Sequence, residues 1–181
     1  QTLSPALTPT LSSALFSAVP ASQWALGVEY SGQAFHGWQR QRDVASVEAA
    51  LEDALGGIAN EPISLAAAGR TDSGVHATSQ VASFSTHAER PVRAWQRGVN
   101  SQLPDGVSVA WARAVPAEFH ARFSALARRY LYLYCEETVP SALGRGQWWS
   151  CAALDVDAMH QAAQALLGEQ DFSAVRASGC Q

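Results

Sequence analysis

The fold of this chain is most constrained by the order of its hydrophobic patterns. Some segments have the spacing of a β-strand, and others have the spacing of an α-helix. Four short segments are rich in strand-forming residues, and several alternate between apolar and polar side chains, which predicts β-strands. The predicted strands are Trp24–Tyr30, Ile63–Gly69, Gln80–Thr86 and Val107–Val115. A helical pattern follows the first strand, and another follows the third. The order β-α-β-β-α-β predicts an α+β domain of the ferredoxin-like (RRM-like) type with an antiparallel sheet.

The starts and ends of the two helices can also be predicted. Ser46 suits the N-cap of the first helix, and Gly56–Gly57 is expected to end it. Its inward face, at helical spacing, is Val47, Ala50, Leu51, Ala54 and Leu55. Pro91 suits the first turn of the second helix. The predicted inward face of that helix is Val92, Trp95 and Val99.

The C-terminal third has the beginning of a similar pattern. Residues 128–136 predict a strand, and Asp155 or Asp157 is expected to cap a helix that ends at Gly168. The residues predicted to face inward on this helix are Val156, Met159, Ala163, Leu166 and Leu167. We therefore expect three parts: a flexible extension over 1–23, rich in Ser, Thr, Ala and Pro; the ferredoxin-like domain over 24–115; and the first part of a second, similar α/β domain over 116–181, which stops in mid-domain.

Composition excludes several classes of function. No apolar run approaches the roughly 18 residues needed to span a membrane, and residues 1–23 lack the basic start of a signal peptide. The cysteines, Cys135, Cys151 and Cys180, have no metal-ligand spacing with each other or with the five histidines. Reduced thiols in a cytoplasmic protein are therefore expected, with no metal site. No P-loop or dinucleotide-binding fingerprint is present.

The charge is unevenly distributed. All twelve basic residues are arginine, and eight of them lie in residues 69–129 against only four acids. The flanking segments, 1–68 and 130–181, each carry two arginines against six acids, so the formal net charge of −4 hides a basic middle third. A local positive field of this kind favours a phosphate-bearing ligand, although a basic surface has other causes as well.

The motif "AGRTDSGVH" carries the most specific chemistry. Asp72 lies between the second and third predicted strands, where Asp-Ser-Gly is common turn material. Arg70, two residues earlier, is near enough to keep a carboxylate ionised and to engage a phosphate. An aspartic-protease site would need a second Asp-Ser/Thr-Gly, which is absent, and apolar residues before the aspartate. A nearby loop adds Trp38 and Arg40, and such an aromatic and guanidinium mixture suits nucleic acid.

Several sequence blocks together resemble one protein family. They are "ALGVEYSGQAFHGWQRQ", "SVEAALEDAL", "ANEPI", "AGRTDSGVHATSQV", "RGVNSQLP" and "EFHARFSALARRY", in this order. The chain is similar to bacterial TruA-type tRNA pseudouridine synthases from about Trp24 to Gln181. The block Gly-Arg-Thr-Asp-x-Gly-Val-His is the most specific of the matches.

This resemblance implies a function for several residues. The family isomerises uridine to pseudouridine at positions 38, 39 and 40 of the tRNA anticodon arm, as a homodimer and without metal or cofactor. By resemblance, Asp72 is the catalytic carboxylate and Arg70 the arginine that holds it ionised and replaces the flipped base. Tyr130 matches the tyrosine that packs over the target uracil, and Trp38 and Arg40 lie in the RNA-facing loop.

Two further hypotheses stay open at this point. The chain is a non-catalytic RNA-binding module if it lacks residues that the family needs to close its cleft. Alternatively, it is an interaction domain without an RNA role, which its acidic pI of about 5.7 would suit.

Overall fold

The computed structural model describes residues 21–175 and divides the chain between Arg129 and Tyr130 into two compact units. Most of the predicted 1–23 extension, residues 1–20, lies outside the described residues, whereas Ser22 and Gln23 already belong to the first strand. The boundary expected after residue 115 differs from this division. Residues 116–129 fall in the first unit, where the side-chain amide of Gln23 donates to the Phe119 carbonyl at 2.9 Å.

The first unit contains a four-stranded antiparallel sheet. Its strands are β1 (Ser22–Tyr30), β2 (Ala66–Ala67), β3 (Ala77–Thr86) and β4 (Val107–Val115), in the order β2-β3-β1-β4. Strand β1 is central: Leu26 lies opposite Ala82 of β3 on one side and Ala112 of β4 on the other. This sheet confirms the predicted α+β, ferredoxin-like class.

Strand β2 is much shorter than the predicted Ile63–Gly69. Only Ala66 and Ala67 pair with β3. Upstream of them, the Leu65 amide donates to a carboxylate oxygen of Glu52 at 3.0 Å and is therefore not paired with β3. Burial of Ile63 and Leu65, each 8% exposed, accounts for the apolar pattern that predicted a longer strand.

Helix α1 (Val47–Ala59) starts as predicted and ends later. The Ser46 hydroxyl accepts a hydrogen bond from the Ala49 amide at 3.3 Å, which confirms the N-cap. The end predicted at Gly56–Gly57 is wrong. The helix continues to Ala59, and the C-cap residue after it, Asn60, adopts a left-handed conformation with φ 60°. Burial of Ala59 in the core stabilises this last turn.

The second helical segment of this unit is partly a π-helix, Ala94–Gly98, within helical residues 92–100. Trp95 and Val99 are fully buried as predicted, and Trp95 packs against Trp24 and Phe84 at centroid distances of 5.8 and 5.3 Å. The inward position predicted for Val92 is wrong, since it is 48% exposed. A π-turn holds more residues than an α-turn, so an α-helical spacing does not keep Val92 on the buried face.

The second unit contains two short parallel strands, β5 (Tyr134–Glu136) and β6 (Trp149–Cys151), and helix α2 (Val156–Gln164). The Asp155 carboxylate accepts from the Ala158 amide at 2.9 Å and is the N-cap. Only the last three residues of the predicted 128–136 strand find a strand partner. Helix α2 ends before Gly168, and no residue of α2 is buried, so the predicted inward face is wrong for the described residues.

No helix within residues 21–175 combines the length and the apolar character needed to cross a membrane.

Candidate active site

Asp72 lies in the connection between β2 and β3, as the sequence predicts, and its side chain is exposed. The backbone of this connection is held at several points. Gln80, a nearly buried side chain of β3, donates to the Gly69 carbonyl. On the other side, the Val75 amide donates to the Asp72 carbonyl at 3.2 Å, and Gly74 makes the turn with φ 83°. An accessible carboxylate therefore stands on an ordered turn.

The loop that follows β1 supports this turn from one side. The Trp38 amide donates to the Thr71 carbonyl at 2.9 Å, and the hydroxyl groups of Tyr30 and Thr71 lie 2.7 Å apart in a hydrogen bond. Gly37 adopts φ 94°, and a Cβ there would lie 2.8 Å from the Thr71 carbonyl oxygen. The close approach of the two loops therefore requires glycine at position 37.

Arg70 is exposed and lies two residues before Asp72, without an ion pair between the two side chains. The arginine of the neighbouring loop, Arg40, by contrast forms ion pairs with Glu52 and Asp53. That Arg70 keeps the Asp72 carboxylate ionised stays a prediction. Its guanidinium is open to solvent, and its part in binding a ligand stays a prediction.

Trp38 and Arg40, which the resemblance places in an RNA-facing loop, both contact helix α1. Trp38 is 0% exposed, and its indole N–H donates to Glu48 of α1 at 3.3 Å. The Arg40 guanidinium binds Glu52 at 2.9 Å and Asp53 at 2.7 Å, and the hydrogen bonds to Asp53 and then Glu52 raise the pKa of Arg40 above its ordinary value. Both side chains attach the loop to α1, and the buried Trp38 ring has no free face on which a base could stack.

The same loop caps the N-terminus of α1. The Val47 and Glu48 amides donate to the Gly37 and Trp38 carbonyls at 3.3 and 2.9 Å. These amides belong to the first turn of the helix, where they have no acceptor within the helix. Helix α1, the loop and the Asp72 turn thus form one connected series of contacts.

Tyr130 begins the second unit, and its side chain is 57% exposed. Tyr132 and Tyr134, which share its predicted strand face, are also exposed. The role expected of Tyr130 over a target base stays a prediction.

The basic middle segment is a surface feature. All eight of its arginines are exposed: Arg70, Arg90, Arg93, Arg97, Arg113, Arg122, Arg128 and Arg129. Arg128 donates to the Ala68 carbonyl at 2.6 Å, which ties residues 119–128 to the start of the Asp72 turn. The positive charge is local to residues 69–129, because the unit that carries Asp72 holds ten arginines and ten acids in all.

Phe123 was missed by the sequence reasoning. It is 78% exposed, its ring stacks on His120 at a centroid distance of 4.4 Å, and the Arg122 guanidinium lies 5.8 Å from its centroid. The alternation of aromatic and cationic residues in "FHARF" was the available signal. Exposed aromatic rings beside cations are typical of surfaces that bind single-stranded nucleic acid.

Within the described part of the chain, no group of three or more His, Cys, Asp or Glu side chains could hold a metal ion. Cys135 and Cys151 are free thiols, and Cys180 lies outside the described residues.

Comparison with known proteins gives a consistent result. A family model described as tRNA pseudouridine synthase matches residues 27–124. Proteins named tRNA pseudouridine synthase A from Pseudoalteromonas atlantica and Haemophilus influenzae strain 86-028NP are each 56% identical over 158 residues, 87% of this chain and 60% and 59% of theirs. The protein of that name from Shigella boydii serotype 4 is 52% identical over 164 residues, 90% of this chain and 61% of its own. The chain thus spans about 60% of the length of these relatives.

Proposed function

This chain belongs to the tRNA pseudouridine synthase family, and on that premise we propose that the protein containing it converts uridine to pseudouridine in the anticodon stem-loop of tRNA. The proposed target positions are 38, 39 and 40, and Asp72 is the catalytic carboxylate. The observation that carries this proposal is the exposed Asp72 on a turn whose backbone is held at Thr71 and at Val75.

The reaction is an isomerisation, and its atoms balance without an oxidant or reductant. The bond between ribose C1′ and uracil N1 breaks, with its electron pair going to the base. The base rotates, a bond forms between C1′ and C5, the C5 proton leaves, and N1 gains a proton. An ionised Asp72 either bonds covalently to the electron-poor C1′ or acts as the base, as carboxylates do in glycosyl chemistry.

The substrate must expose its target base to Asp72. Removal of a base from its stack costs a few kcal/mol. We assign Arg70 to the space that the base leaves and to the neighbouring phosphates, because its exposed guanidinium lies two residues from Asp72. Tyr130 is assigned to packing on the uracil. Trp38 and Arg40 are assigned to positioning the loop, because their contacts are to α1.

The wider setting of the reaction belongs to the same proposal. The exposed arginines of residues 69–129 would contact the tRNA backbone, and Phe123 with His120 offers a surface on which an unpaired base can stack. We also propose that the protein is a homodimer and is located in the cytoplasm, as the sequence resemblance implies.

Release of tritium from tRNA labelled at uridine C5 tests this function in the full-length protein. Wild type is expected to release label, and Asp72→Asn to lose about 10³-fold or more of the rate, since the amide can neither bond to C1′ nor accept a proton. Asp105→Asn is the matched control, because Asp105 is another exposed aspartate in a loop of the same unit. Full activity of Asp72→Asn would refute the assignment.

A second candidate is that the 181-residue chain by itself is a non-catalytic RNA-binding module. It is favoured by the chain's covering about 60% of the length of its relatives. Filter binding of tRNA to this chain, together with tritium release, distinguishes the two. Binding without release supports the module, and release by the chain alone excludes it. A lack of salt-sensitive binding would support an interaction domain without an RNA role.

A further inference from the structure

We propose that Tyr30 is a positioning residue for the catalytic carboxylate and that it acts through its hydrogen bond to Thr71. The inference rests on the proposed function, in which Asp72 touches the substrate. Tyr30 itself is buried, 3% exposed, so it acts on the reaction through its contacts and does not touch the substrate.

The hydroxyl of Tyr30 has a fixed place because the residue ends the central strand of the sheet. Tyr30 pairs with Ala77 of β3 on one side and with Val107 of β4 on the other. The β1–β3 register shifts between Val28 and Tyr30, beside the turn. Such irregularities re-aim a side chain relative to a regular strand. The ring also packs on Trp38, with centroids 5.9 Å apart.

Thr71 is held by two elements at once. Its hydroxyl lies 2.7 Å from that of Tyr30, and its carbonyl accepts from the Trp38 amide at 2.9 Å. The first contact comes from the sheet and the second from the loop over α1. Together they fix the side chain and the peptide group of the residue that directly precedes Asp72.

The Asp72 side chain has no hydrogen-bond or ion-pair partner of its own among residues 21–175. Its direction is therefore set by the backbone from which it projects, and Thr71 is the point where that backbone is most firmly held. A displacement of about 1 Å at a reacting group lowers a rate by about 10²-fold. Loss of the Tyr30 hydroxyl should consequently affect the chemical step more than tRNA binding.

The test uses three single variants in the full-length protein. Tyr30→Phe and Thr71→Val each remove one hydroxyl, whereas Thr71→Ser keeps the hydroxyl and loses only a methyl group. We expect Tyr30→Phe and Thr71→Val to lower kcat by about 10- to 10²-fold with KM within about twofold of wild type. Thr71→Ser should keep kcat within about threefold of wild type. Tyr132→Phe, an exposed tyrosine of the second unit, is the control for loss of a hydroxyl.

The double variant Tyr30→Phe/Thr71→Val decides whether the two groups act together. If they do, its kcat will be no lower than that of the worse single variant. The proposal would be overturned if the kcat losses of the two single variants multiply in the double variant. An unchanged kcat in Tyr30→Phe, or a change confined to KM, would also overturn it. If the proposed function itself is wrong, wild type will release no tritium or Asp72→Asn will be active. These results differ from those that would overturn the role of Tyr30. Urea unfolding of each variant verifies that the kinetic measurements are made on folded protein.

Discussion

Gly32, in the loop after β1, packs tightly against the Asp72 turn. It is buried, and a Cβ added there would lie 2.3 Å from the Val75 carbonyl oxygen and 2.5 Å from the Gly74 carbonyl carbon. Both neighbours are backbone atoms, so no side chain can rotate away to make room. Van der Waals contact needs about 3.4 Å, and Gly32→Ala would therefore push the two loops apart by about 1 Å.

The expected cost of Gly32→Ala follows from this overlap. Overpacking of a well-packed site typically costs about 1–3 kcal/mol in the free energy of unfolding. At about 2 kcal/mol, the melting temperature of a chain of this size falls by about 4–8 °C. Because Val75 donates to the Asp72 carbonyl, the displacement also reaches the carboxylate, and kcat should fall by about 10²-fold.

Gly74→Ala is the matched control in the same turn. Gly74 has φ 83°, yet no atom lies within 4 Å of a Cβ placed there. This variant should cost only the backbone strain of a positive φ, about 1 kcal/mol, without moving the facing loop. Urea unfolding gives the two stabilities, and tritium release gives the two rates. A Gly32→Ala protein that is as stable and as active as Gly74→Ala would refute the reasoning.

Two other substitutions test the scaffold around the site. Arg40→Ala should lower the free energy of unfolding by about 1 kcal/mol or less, because its ion pairs with Glu52 and Asp53 are partly exposed, and it should weaken tRNA binding less than Arg70→Ala does. Equal losses of affinity in filter binding would show that Arg40 contacts RNA after all. Glu61 accepts hydrogen bonds from Thr86 and from the His87 amide, which hold the pKa of its carboxyl below the ordinary value. Its stabilisation is therefore present above the ordinary pKa and is lost as the pH falls through the folded-state pKa. Glu61→Gln should consequently lower the melting temperature at pH 7, and this loss should shrink as the pH falls below the ordinary pKa of the carboxyl. A melting-temperature difference from wild type that does not change with pH would contradict this.

The sheet was the most predictable part of the molecule. The predicted strand Val107–Val115 matches β4 at both ends, because its alternation of buried and exposed residues reflects one face on the core. Strand β2 is shorter than predicted. Ile63 is apolar because it is buried, although it does not pair with another strand. The predicted end of α1 at its glycine pair is wrong, because core contacts of the last turn outweigh the low helix propensity of glycine.

The positions of some candidate site residues could be predicted from the sequence, and those of others could not. Asp72 could be placed because a short motif between two predicted strands must lie on their connection. Trp38 could not be placed from its own sequence neighbourhood, since an aromatic residue in a loop suits either a ligand surface or the core. Its burial depends on α1, where Glu48 accepts its indole N–H and Glu52 pairs with Arg40. The hydrogen bond between Tyr30 and Thr71 spans 41 residues of sequence and has no local signal.

The central claim is tested most directly by mapping pseudouridine at each position of tRNA incubated with the full-length protein. A carbodiimide label that stays attached to pseudouridine marks each position, because pseudouridine and uridine have the same mass. The account predicts new pseudouridine at positions 38, 39 and 40 with wild type and with Asp105→Asn, and none with Asp72→Asn. Pseudouridine formed at those positions by Asp72→Asn, or formed by wild type only elsewhere in the tRNA, would contradict it.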